Sequence, residues 1–480
     1  MKMKRIIPLI LAIVILLATP MSVATAMSNE AQEHIESQLR RARIPNAAVA
    51  IIQDGETSYI LKDSEYDTLF QIGSVSKSFT GFGVLLLEDM GLLSINDPVN
   101  QHLPWFEVNY NGTPVPHGDI AIYNLLQHTS GLTGDQRHFP TFMIETADEF
   151  ISQYRGIELA FYPSSEFAYG DANYVILGLL IEAVTGLSYD EFMTQYVFRP
   201  LGLYNTFADV QNAHATGRDI GGNRLGFFLL HAWNPTIQPL IIPTGHLYSN
   251  ITDMARWAGI HLGTVDISEQ FSRVVQRSHE DNHIHGNPFV ELSAFYAGGW
   301  EIHTENGNVE HIGRTPGYIS IVRMSEDTAV VILGNLAVSP GTASQLADIT
   351  LDAVTIGAFD SVGFDFYAIL DIVLTVVALY GVFTLYKFMR LAAKTIKQIR
   401  GGEKVKFNSI NKKWLLDPIL AVAYILAVYI LLPNLFRTSL SIILIGSPVG
   451  MAAVIAIVWM ELVYALFGLW ARVFVNPQKV

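Results

Sequence analysis

Three short stretches of this 480-residue chain carry side chains suited to acyl transfer. In the first, Ser74-Val75-Ser76-Lys77, a hydroxyl and an amine stand three positions apart. At a helix N-terminus that spacing sets both on one face, one turn apart. A serine hydroxyl is a poor nucleophile at neutral pH and needs a base beside it. Lysine serves as that base only if burial or nearby charge lowers its pKa from about 10. The helix N-terminus also favours an alkoxide and aims N–H groups at a developing oxyanion. The second stretch is Phe167-Ala168-Tyr169-Gly170-Asp171-Ala172-Asn173-Tyr174, which opens an apolar run. A tyrosine there can present its phenol to a serine and a leaving group, passing a proton once a lysine cation lowers its pKa. Taken alone, the segment reads rather as a core tyrosine with a satisfied hydroxyl. The third stretch is His311-Ile312-Gly313-Arg314, followed by Pro316-Gly317-Tyr318. A glycine-bearing strand edge lets an acyl chain pair in β fashion and supplies an N–H for an oxyanion hole.

These groups need elements to hold them. Ala48–Gln53 reads as a buried strand, Asp54-Gly55 as a hairpin turn and Thr57–Lys62 as the partner strand. Ser76–Met90 is a long apolar-rich helical stretch stopped at Gly91, and Tyr174–Thr185 is another stopped by Gly186. Near the end come short strands at Gly299–Thr304, Asn308–Ile312, Tyr318–Met324 and Ala329–Asn335, with an Asn306-Gly307 turn between the first two. Leu346–Ile356 follows as a covering helix. A strand pair, a helical middle and a late run of strands predict an α+β fold, an antiparallel sheet flanked by helices, rather than alternating βα units.

Composition divides the chain. Half the residues are hydrophobic and 15% are charged, a balance tilted toward membrane proteins. Residues 361–480 hold 12 Lys/Arg against 5 Asp/Glu, leaving 18 basic and 39 acidic residues in 1–360. A unit that acidic repels nucleic acid. The chain has no cysteine, which excludes disulfides, thiolate zinc sites and cysteine nucleophiles. His283-Ile284-His285 has no third ligand near it in sequence and reads as a solvated loop, so neither metal nor cofactor is expected.

Lys2, Lys4 and Arg5 precede an apolar run, Ile6–Ala18, and then Ala24-Thr25-Ala26. That is the pattern of a signal peptide over 1–26, cleaved after Ala26; an uncleaved anchor is the alternative. Three apolar runs, about 364–386, 415–432 and 449–470, approach the ~20 residues needed to cross a bilayer core. Between the first two, 387–413 carries nine Lys/Arg against Glu403 alone. The positive-inside rule makes that stretch cytoplasmic, with 27–360 outside and the C-terminus inside. The expected domains are therefore 1–26, an extracytoplasmic unit over 27–360 and a membrane domain of three helices over 361–480. Asp371 and Glu461 fall within the first and third spans, where each faces the bundle interior, through an interhelical hydrogen bond, or is protonated.

Taken together, the stretches resemble the serine beta-lactamase-related family: class C beta-lactamases, D-Ala-D-Ala carboxypeptidases, D-aminopeptidases and related esterases. Leu125-Leu126-Gln127-His128-Thr129-Ser130-Gly131-Leu132, Phe198-Arg199-Pro200-Leu201-Gly202-Leu203, Leu247–Trp257 and Gly298-Gly299-Trp300 extend the likeness, in order, over about residues 30–355. The resemblance implies Ser74 as nucleophile, Lys77 as base and Tyr169 as proton-transferring partner. It puts His311 and Gly313 in place of a Lys-Thr-Gly strand, makes the N–H groups of Ser74 and Arg314 the oxyanion hole, and gives His128 no chemistry. Two departures matter. Asp171 stands where the family's Tyr-x-Asn has its last residue, turning a substrate-amide contact into an acceptor. His-Ile-Gly removes the fixed cation that penicillinases offer a carboxylate, which Arg314 can partly restore.

Both departures favour a peptidase or esterase over a beta-lactamase. The layout of leader, catalytic unit and three C-terminal helices also resembles the periplasmic D-asparaginyl peptidases that mature colibactin-type prodrugs. The expected activity is thus a membrane-anchored serine hydrolase acting on peptides or N-acyl peptides that contain D-amino acids. Beta-lactamase and esterase activity stand as alternatives, as does a non-turnover penicillin-binding sensor or a membrane scaffold. The expected partners are a small peptide or acyl substrate and the lipid bilayer; oligomeric state stays open.

Overall fold

The computed structural model describes residues 27–133, 144–233, 236–280 and 294–401, with helical pieces at 419, 422–423, 426, 459 and 462–470. The 1–26 leader, His283-Ile284-His285, Glu461 and most of the second and third apolar runs lie outside the described residues. In chain order, α1 (Asn29–Arg41) starts from Ser28, whose hydroxyl accepts from the Ala31 N–H at 3.1 Å. Strands β1 (Ala47–Gln53) and β2 (Glu56–Lys62) follow, then helices α2 (Ser76–Asp89) and α3 (Asp171–Thr185). The hairpin β3 (Gly222–Gly226) and β4 (Leu229–Trp233) precedes helices α4 (Ile251–Leu262) and α5 (Glu269–Ser278). Five strands come next: β5 (Ala294–Ala297), β6 (Trp300–His303), β7 (Val309–Thr315), β8 (Tyr318–Ser325) and β9 (Thr328–Gly334). Helices α6 (Pro340–Thr355) and α7 (Phe366–Arg400) end the main described part.

The main sheet runs β5-β6-β7-β8-β9-β1-β2, seven strands with every neighbour antiparallel. Strand β1, Ala-Ala-Val-Ala-Ile-Ile-Gln, is apolar at nearly every position because both of its faces are covered. Ala48, Ala50 and Ile52 join the large core beneath the helical part, while Ala47, Val49 and Ile51 meet α1 and α6 on the other side. The expected α+β architecture stands.

Several boundaries differ from the sequence reading, each for a physical reason. Helix α6 begins six residues before Leu346, since Ser339 accepts from the Thr342 N–H and Pro340 sits in the first turn. β7 runs on through Gly313 to Thr315, because its partner β8 pairs across the glycine, Gly313 with Ser320. The expected first span, 364–386, and the basic residues up to Arg400 form one 35-residue helix, so the segment from 387 to 400 is not a loop. At 1.5 Å per residue α7 is about 52 Å long, against a hydrocarbon core of about 30 Å. Counting only described side chains, no single helix is long and apolar enough to cross a membrane. The Asp371 carboxylate accepts from the N–H groups of Phe227 and Phe228 in the β3–β4 turn.

Candidate active site

Apart from Lys77, helix α2 is small or apolar from Ser76 to Leu87, and that whole stretch is buried. It enters from a tight turn, Gly73–Val75, that carries Ser74. Gly73 has φ +50, and a Cβ there would lie 2.3 Å from the Arg314 nitrogen and 2.5 Å from the Gly313 carbon. Strand β7 therefore rests directly on the turn that carries Ser74. From the other side the Gly298-Gly299 bend between β5 and β6 presses on the first turn of α2; a Cβ on Gly299 would meet the Lys77 carbonyl at 2.4 Å. Gly73→Ala is expected to lower the melting temperature, costing about 1–3 kcal/mol in backbone conformation alone, with the clash against Arg314 added. Thermal unfolding of the variant checks this; an unchanged melting temperature would remove the close approach as a constraint.

Ser74 and Lys77 come together as their spacing predicts. Lys77 Nζ lies 3.4 Å from Ser74 Oγ, 2.7 Å from Asp171 Oδ1 and 2.6 Å from the Thr244 carbonyl. Its side chain is fully buried, while Asp171 is half-exposed and Ser74 is partly exposed, so the group opens to solvent. Burial pulls the Lys77 pKa below its ordinary value; the Asp171 carboxylate opposes that pull and does not overcome it. The ammonium also sits over the Tyr169 ring at 4.7 Å and the Tyr174 ring at 5.7 Å, contacts that favour the cation.

Tyr169 is brought to the same place, its hydroxyl bonded to Ser74. Its phenol pKa moves opposite to the sequence expectation. Burial, and then the negative charge of Asp171, push it well above the usual range against the smaller lowering effect of the Ser74 hydrogen bond. Tyr169 is accordingly a neutral phenol able to hand on a proton, not a phenolate.

His311 and Gly313 also reach the cluster through β7, and Arg314 reaches it by its backbone. His311 Nδ1 stands 3.0 Å from the Ile312 carbonyl, which can only accept, so Nδ1 carries the proton and Nε2 accepts from the Tyr296 hydroxyl at 3.0 Å. Burial, then Lys77, push the His311 pKa down to about 3. The ring is neutral and brings no cation. The Arg314 side chain turns to α7, donating to the Tyr367 hydroxyl at 2.6 Å and lying 5.2 Å from that ring. Its guanidinium is thus engaged away from Ser74, and the positive charge it was expected to restore is not delivered there by this contact. Asp171 likewise spends its carboxylate on Lys77.

His128 takes the structural place read for it. Its Nδ1 accepts from the Gly170 N–H at 3.3 Å, its carbonyl accepts from the Ala168 N–H at 3.0 Å, and its ring lies 4.4 Å from that of Tyr169. Together these contacts hold the Tyr169 segment at the start of α3. Two neighbours were not foreseen. Tyr296 carries no motif, and its part is visible only once β5 lies beside the Tyr169 segment. The Thr244 carbonyl is a backbone group, to which sequence is blind. Among the described residues no group of three or more His, Cys, Asp or Glu could hold a metal.

Comparison with known proteins agrees with this geometry. A class C beta-lactamase superposes with a TM-score of 0.59 at 15% identity, covering 69% of this chain and 98% of that one, a likeness of fold. The protein flp of Staphylococcus aureus (strain MRSA252) is 28% identical over 330 residues, 65% of this chain and 64% of that protein. The match therefore spans less than two thirds of that relative's own length. Penicillin-binding protein 4* of Bacillus subtilis (strain 168) is 32% identical over 146 residues, 29% of this chain and 30% of that protein. The family model described as Beta-lactamase matches residues 31–355, the whole span from α1 to α6, and the chain belongs to that family of serine hydrolases.

Proposed function

We propose that the chain is a membrane-anchored serine hydrolase that forms an acyl-enzyme at Ser74 and cleaves peptides or N-acyl peptides containing D-amino acids. The observation that carries the reading is the buried Lys77 amine 3.4 Å from the Ser74 hydroxyl, with the Tyr169 phenol bonded to the same serine. In its neutral form Lys77 takes the Ser74 proton as the oxygen attacks the substrate carbonyl. The N–H groups of Ser74 and Arg314 receive the oxyanion. Tyr169 gives its proton to the departing amine and recovers one from Lys77; water then releases the acyl group by the reverse path.

The neutral His311, with both ring nitrogens engaged, supports a peptidase over a beta-lactamase, because position 311 offers no cation to a carboxylate and the Arg314 guanidinium is turned to Tyr367. The D-configuration rests on resemblance. Large apolar side chains exposed along α7, among them Ile369, Ile372, Val376, Leu379 and Phe383, support the membrane anchor. A turnover panel of N-acyl-D-amino-acid amides, D-Ala-D-Ala peptides, nitrocefin and short esters tests the reading. The D-amides should be hydrolysed fastest; preference for nitrocefin or for L-peptides would overturn the assignment.

Asp171 gives a sharper test. The free amine of Lys77 is the working form, and the carboxylate 2.7 Å away stabilises the ammonium. Asp171→Asn removes that support, so the lysine loses its proton at lower pH. The acidic limb of the kcat/KM profile should move down by about one pH unit or more. A limb that stays or moves up would exclude Lys77 as the titrating base.

A further inference from the structure

The β3–β4 hairpin closes through two residues only, Phe227 and Phe228, since Gly226 pairs with Leu229. Both central residues have positive φ, +51 and +63. Turns of this kind ordinarily carry Asn-Gly or Gly-Gly, and non-glycine residues there are strained. The strain keeps bulky apolar side chains at a tip that stays uncovered: Phe228 is 49% exposed and Leu229 63%, with Leu230 also exposed.

Three backbone groups of the tip have protein partners. The Phe227 and Phe228 N–H groups donate to the two oxygens of Asp371 at 2.7 and 2.8 Å, and the Phe228 carbonyl accepts from Arg43 at 3.3 Å. Asp371 itself is fully buried. In water such a turn needs no partners, because solvent satisfies it. In an apolar medium an unsatisfied polar group is costly, and internal partners become necessary. The clamp also ties the tip to α7, where Ile372 and Val373, next along the helix, are exposed and apolar. Beyond α7 the chain continues to residue 480 with two more apolar runs, so the tip sits beside the segment that leads toward them.

We infer that the hairpin tip, Phe228 to Leu230, enters the lipid interface beside α7 as a second contact of the catalytic unit with the bilayer. This rests on the membrane anchor proposed above. The cysteine-free chain makes single-site labelling unambiguous. The full chain, with bimane on Leu229→Cys or on Ile372→Cys, is placed in phosphatidylcholine/phosphatidylglycerol nanodiscs with or without doxyl-bearing lipid. A free bimane–cysteine adduct is the aqueous reference. The expected result is a blue-shifted emission at Leu229→Cys that doxyl lipid quenches to the same extent as at Ile372→Cys. Quenching at Ile372→Cys alone overturns the tip insertion and leaves the anchor standing. Quenching at neither position overturns both.

Discussion

Ser74→Ala should abolish covalent labelling by a fluorescent penicillin or phosphonate and cut turnover by roughly four orders of magnitude or more, the scale seen when a serine nucleophile is removed. Fold and melting temperature should hardly change, because the Ser74 side chain is partly exposed and its partner Lys77 keeps its bonds to Asp171 and the Thr244 carbonyl. Loss of activity with an intact fold is then a chemical effect. Labelling that persists in the variant would place the nucleophile elsewhere and end the acyl-enzyme mechanism at this site.

Lys77→Met should be the next most damaging change. The thioether keeps the length and shape of the side chain but cannot take a proton, so acylation should slow by about 10²–10⁴-fold, the usual contribution of a positioned base. Stability should move the other way or not at all. A fully buried ammonium has surrendered its hydration, and replacing it with an apolar group is often neutral or stabilising when the partner can be solvated. Asp171, half-exposed, can be. Pre-steady-state labelling and thermal melts on one preparation check both halves. A variant that acylates at the wild-type rate would pass the base to another group.

Much of the site was legible because its residues sit at element boundaries with strong local grammar. Ser74 and Lys77 share a turn, Gly186 stops α3 with φ +71, and Asn306-Gly307 turns β6 into β7. What escaped was assembled through space. Tyr296 bonds His311 only because β5 lies at the sheet edge over the Tyr169 segment. The β3–β4 hairpin was hidden because Phe-Phe is not a recognised turn dipeptide and because Gly222-Asn-Arg-Leu lacks the β-branched residues of an ordinary strand. The reach of α7 was missed for another reason: hydropathy marks where apolar residues end, and a helix continues through lysines without interruption. The upward shift of the Tyr169 pKa could not be read either, since a phenol's titration depends on the depth to which its ring is sunk.

The bond from Arg314 to Tyr367 has a practical consequence for anyone preparing this protein. A water-soluble fragment ending near residue 360 would lack Tyr367, leaving the guanidinium adjacent to Gly313 without its ring and hydroxyl. The same cut would strip Asp371 from the Phe-Phe turn. Selectivity measured on such a fragment would describe a chain without these contacts.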